Sequence, residues 1–161
     1  MIGRKILLIL AVTLPLVDPA QARFEQGTFR FGAGMGLQGS SEGVIFSLGA
    51  SGGVFVLKGL DLGVGTVFQT GGDIPTQFLA TGGVRFIPLP DLILTPYIRA
   101  AGGHLFVEGD DAWTVSAGGG LLYMFGPWYG IDLQGTYMWF FFPGEDPIGD
   151  WYITAGLMLL F

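Results

Sequence analysis

Residues 151–161 alternate without a break. Trp151, Ile153, Ala155, Leu157, Leu159 and Phe161 fall on one face, and Tyr152, Thr154, Gly156, Met158 and Leu160 on the other. The first face is wholly apolar, with aromatics at both ends; the second mixes polar, small and flexible side chains. A period of two sustained this long specifies a single β-strand, and its length suits a tilted strand that crosses a bilayer in about 9–11 residues. The same alternation recurs upstream. Half of the chain is hydrophobic and only 12% is charged, against about a quarter in soluble domains. Yet beyond the N-terminus no apolar run is long enough for a membrane helix. High hydrophobicity without a hydrophobic run is the mark of strands that are greasy on one side only.

Read in that period, the chain divides into strands at 28–37, 44–56, 60–69, 77–86, 92–101, 113–125, 131–139 and 151–161. Tight turns are expected at 57–59, 88–91 and 126–128, and longer loops at 38–43, 70–75, 102–111 and 141–150. Pro96 interrupts the fifth strand, and because proline cannot donate to a ladder a bulge is expected there. Eight strands with unpaired edges would cost several kcal/mol per group in lipid, so the sheet must close, first strand to last. The expected fold class is all-β: an eight-stranded, antiparallel, closed transmembrane β-barrel, preceded by a cleavable signal peptide. Arg4 and Lys5, the apolar run 6–17 and the small residues Ala20 and Ala22 make up that signal. The division is 1–22 signal and 23–161 barrel. Both ends of the barrel are expected on the periplasmic side, with the longer loops outside.

The two faces differ in size as well as polarity. Nearly all large aromatics share one face, while glycine, serine, threonine and the charges share the other. A soluble barrel would turn the apolar face inward, but a narrow eight-stranded lumen has room only for small residues and a few long polar ones. The bulky face is therefore assigned to lipid. Arg30, Asp61, Arg85, Arg99 and Asp132 then all point inward, which avoids about 2–4 kcal/mol for each basic residue set in lipid. Two aromatic girdles are expected, Trp113, Trp139, Phe140, Phe141, Phe142 and Trp151 at the outer rim and Phe86, Phe125, Trp128, Tyr129 and Phe161 at the periplasmic rim.

With this pattern the chain resembles the small eight-stranded outer-membrane β-barrel domains of Gram-negative bacteria, the group of the OmpA barrel and OmpX. The resemblance covers the whole mature chain. It is carried by the alternation, the loop asymmetry and residues 154–161, where Thr154, Gly156, Leu159 and the terminal aromatic Phe161 look like that group's C-terminal insertion motif. It implies an outer-membrane location, contact with outer-membrane lipid and lipopolysaccharide, and assembly by the barrel-insertion machinery. Loss of Phe161 is then expected to impair assembly. No soluble domain of the peptidoglycan-binding kind is expected after the barrel.

The chemistry available is limited. The chain has no cysteine, so disulfides and thiol catalysis are excluded. Its net charge of −6 leaves no basic patch for nucleic acid. Asp61 and Arg85 fall at similar depth on neighbouring strands, and the five inner charges can satisfy one another as a network that locks the lumen; the rival reading is a narrow ion or small-solute channel. Glu108, Asp110, Asp111, Glu145 and Asp146 belong to acidic outer loops with no Lys or Arg. A solvated acidic rim is the plain reading, and divalent cations shared with lipid head groups are the sharper one. His104 is the single histidine. Lipid A deacylases of the barrel type pair a histidine with a serine two residues on, and here that residue is Phe106. The expectation is thus a non-enzymatic envelope protein without cofactor or resident metal, structural or surface-interacting, with channel first and lipid-modifying enzyme second as alternatives.

Overall fold

The computed structural model describes residues 24–40, 43–71, 74–107 and 111–161. The expected signal peptide and Glu42, Asp73, Glu108 and Asp110 lie outside the described residues. Eight strands follow one another: β1 Phe29–Ser40, β2 Gly43–Leu57, β3 Leu60–Gly71, β4 Ile74–Phe86, β5 Leu94–Val107, β6 Ala112–Met124, β7 Tyr129–Phe141 and β8 Ile148–Leu160. Each pairs antiparallel with the next, and β1 pairs with β8 to close a barrel. The closing seam runs from Arg30↔Leu160 to Gly36↔Thr154. Beyond it Phe29 and Phe161 exchange two backbone hydrogen bonds of 2.9 and 3.0 Å. Phe24 and Phe161 thus sit at one end of the barrel, here called the turn end.

The sorting of faces follows the alternation. Val64, Ile98, Trp113, Ile153 and Leu157 on the outer wall are each more than 60% exposed, whereas Asp61, Arg85 and Arg30 inside are 1%, 6% and 7% exposed. A wall of that composition has no stable place in water and a natural one in hydrocarbon.

Three expectations are corrected. The loops are shorter than the sequence implies. Connections span 58–59, 87–93 and 125–128 at the turn end, and 41–42, 72–73, 108–111 and 142–147 at the other. The expected asymmetry of short turns against long loops is absent. Gly, Ser and Thr near the hairpin tips stay in the ladder, as Gly39↔Val44 and Ser40↔Gly43 do. The β3–β4 hairpin closes through a register shift between Gln69 and Gly71, and Gly71 takes φ +119° there, which a side chain would resist. Second, Pro96 makes no bulge. The β5–β6 register runs evenly from Leu94↔Tyr123 through Pro96↔Leu121. On the other side the β4–β5 ladder ends at Phe86↔Ile98, so proline stands where β4 offers no partner. Third, Phe140 and Phe142 leave the outer girdle. Phe140 is buried inside the barrel and Phe142 packs against the same interior cluster.

That cluster is one of two apolar layers in the lumen. At the loop end Leu79, Leu105, Ala112 and Phe140 pack together, joined by Val67, Val107, Met138, Phe142 and Tyr152. At the turn end Phe24, Phe55, Ile87, Leu122, Met124, Met158 and Leu160 form a second layer. Phe24 reaches it from the segment before β1: its carbonyl accepts from Gly59 N at 2.8 Å, and its ring lies 5.5 Å from that of Phe55.

Candidate functional site

Between the two apolar layers lies a polar one, and it contains all five inner charges that the alternation assigns to the lumen. Arg30 Nε donates to Asp61 Oδ2 at 2.6 Å and Nη1 to Ser51 Oγ at 2.9 Å. The arginine leaves β1 and must pass β2 to reach β3. Glycine makes the passage: a Cβ at Gly53 would lie 2.9 Å from Arg30 Nη2, and one at Gly63 2.7 Å from it. Across the lumen Arg85 Nη2 meets Asp132 Oδ2 at 3.1 Å. Tyr97 donates its hydroxyl to Asp132 Oδ1 at 2.7 Å, and the Arg85 guanidinium stands 4.3 Å from the centre of the Tyr97 ring. Tyr97 crosses β6 in the same manner, over Gly120, where a Cβ would come within 2.6 Å of the phenol.

The ion pairs differ from strand neighbourhood. Asp61 stands opposite Arg85 in the β3–β4 ladder, as the sequence places them, and Arg85 stands opposite Arg99 in the β4–β5 ladder. Asp61 nevertheless bonds to Arg30, and Arg85 to Asp132. Arg99 Nη1 donates to the neutral Gln134 Oε1 at 2.9 Å, and Gln134 Nε2 donates to Thr136 Oγ1 at 2.6 Å. Tyr97, Gln134 and Ser51 were legible as inward-facing polar residues in the registers, but their roles were not. The two apolar layers were missed, because large inward residues such as Phe55 and Leu122 contradict a rule that the lumen holds only small groups.

A cavity of about 160 Å³ opens on this layer, bounded by Arg30, Arg85, Arg99 and Asp132 and by Ser47, Ser51, Ser116, Thr136 and Thr154. A smaller one of about 40 Å³ lies beside Asp61. Asp61 Oδ1 is buried without a hydrogen-bond partner among the described residues.

The other predicted groups are dispersed. Thr154 and Gly156 face inward on β8, Gly156 opposite Gly34 at the seam, while Leu159 and Phe161 face outward and are 39% and 68% exposed. Asp111, Glu145 and Asp146 are exposed at the loop end. Among the described residues no three His, Asp or Glu side chains are grouped to hold a metal ion. His104 lies on the outer wall, its ring 4.6 Å from that of Phe106 and 4.8 Å from that of Trp113.

Closed topology, an apolar exterior and a charged interior define a small transmembrane β-barrel of the outer-membrane type. No protein-family model matches the sequence, and comparison with curated proteins gives no match. Solved structures do match in fold. The N-terminal β-barrel domain of Pseudomonas aeruginosa OprF aligns with a TM-score of 0.67 at 16% identity, covering 84% of this chain and 98% of that one. Neisserial surface protein A aligns at 0.62 and 16%, covering 83% and 96%. A de novo designed transmembrane β-barrel aligns at 0.57, also at 16%, covering 85% and 98%. A designed chain matched at the same identity as two natural ones indicates that the likeness is one of architecture.

Proposed function

We propose that this chain is a non-enzymatic outer-membrane barrel, with a structural or surface-interacting role in the cell envelope and both barrel ends on the periplasmic side. One observation carries the reading: two apolar clusters, one towards each end of the lumen, flank a polar layer that holds two ion pairs. A conducting pore needs a continuous wet path of sites that ions enter and leave. Here Phe24, Phe55 and Ile87, each no more than 1% exposed, stand in the way at the turn end. The exposed Asp111, Glu145 and Asp146 at the loop end then provide the surface available to lipopolysaccharide, to divalent cations bridging it or to partners outside. The outward Leu159 and Phe161 are the groups available to the insertion machinery.

Purified barrel in planar bilayers is expected to stay silent. Discrete openings that change in Arg85→Ala would replace this reading with a channel. Lipid A mass spectra are expected to be the same with and without overexpression; an acyl change that His104→Ala abolishes would make the protein an enzyme.

A further inference from the structure

The polar layer is one charge out of balance. Arg30, Arg85 and Arg99 face it with three guanidiniums, Asp61 and Asp132 with two carboxylates. Both carboxylates are committed, Asp61 to Arg30 and Asp132 to Arg85 and Tyr97. Among the described residues no carboxylate stands within ion-pair distance of Arg99, whose hydrogen bond goes to a neutral amide. A guanidinium cannot shed its proton in a protein, so the excess charge stays. Arg85, its ladder neighbour, adds repulsion. The apolar cluster at the turn end separates this charge from bulk solvent on that side, while towards the loop end the cavity reaches Met138 and Tyr152.

We propose that the larger cavity holds one small monovalent anion of halide size against Arg99. Hydroxyl dipoles and water soften a buried charge, but only a counterion cancels a whole unit. The surroundings suit an anion. A guanidinium has five N–H donors, and the hydrogen bond to Gln134 uses one of them. Ser51 Oγ accepts from Arg30, which leaves its own proton free to donate into the cavity. Asp132 borders the space with its two oxygens already engaged by Arg85 and Tyr97. The repelling group, Asp61 Oδ1, borders the smaller cavity, which is large enough for a water molecule to satisfy it.

The test uses bromide as the probe. Protein refolded and crystallised with bromide as its monovalent anion is expected to show an anomalous peak within hydrogen-bond distance of Arg99. Gln134→Glu places a carboxylate beside Arg99 and should expel the bromide while the barrel still folds, as judged by its heat-dependent mobility on gels. If that variant does not fold, Arg99→Gln serves the same purpose. In solution, the unfolding midpoint of the native chain should rise on titrating bromide at constant ionic strength against divalent sulfate, and the balanced variant should not respond. Water alone in the cavity, an adventitious ion only on the exterior, or a peak that persists in Gln134→Glu would overturn the proposal.

Discussion

At the residue scale, the design rests on long polar side chains lying flat across glycines. Arg30 passes over Gly53 and Gly63, and Tyr97 over Gly120, so each reaches a partner two strands away. This gives Gly53, Gly63 and Gly120 a use that composition alone does not suggest. Gly120→Val should therefore push Tyr97 off Asp132, leave that carboxylate short of a donor and lower the unfolding midpoint in urea. A midpoint equal to that of the native chain would mean that the phenol has another path. The Arg30–Asp61 pair gives a sharper case. Asp61→Ala strands a buried guanidinium and is expected to cost about 3–5 kcal/mol, whereas replacing both partners by leucine and methionine should cost far less. Equilibrium unfolding in lipid vesicles measures both. Similar losses in single and double variants would contradict the view that desolvation dominates this pair.

At the scale of elements, strand number, order and phase were legible because each strand is long and two-faced. β8 is the clearest instance: its residues 151–160 alternate as the structure has them, Thr154 and Gly156 inside and Leu159 outside, and Phe161 just beyond it keeps the phase. Strand ends were not legible. Gln38, Gly39 and Ser40 look like a loop by composition, yet backbone pairing asks nothing of a side chain, and they remain in β1. Phe140 misled for a related reason. A girdle argument uses position along the strand, but the face is set by parity, and 140 shares its parity with Asp132 and Gln134. The site was half legible. All five charges were placed inside, while their partners depend on crossings that ladder neighbourhood cannot reveal. At the end of β8, Phe161 has two separable jobs. Its backbone pairs with Phe29 and its ring projects outward. Phe161→Ala keeps the first and removes the second. It is expected to reduce the amount of assembled barrel in the outer membrane several-fold while leaving refolding from urea into detergent nearly unchanged. Normal levels of the variant in the membrane would sink the role proposed for the ring.

At the scale of the whole molecule, two gradients are at right angles. Across the wall, polarity rises from a greasy outside to a charged inside; along the axis, it rises from each apolar layer to the middle. The first lets the barrel live in lipid, and the second is why a silent lumen is expected. Both depend on which way alternate residues point, and the chain has no cysteine to interfere with labelling. A cysteine and spin-label scan along β7, residues 130 to 140, in lipid vesicles tests this most directly. Accessibility to oxygen, which concentrates in lipid, should peak at Ile131, Leu133, Gly135, Tyr137 and Trp139 and fall at Asp132, Gln134 and Thr136. The opposite phase, or no alternation at all, would contradict the account.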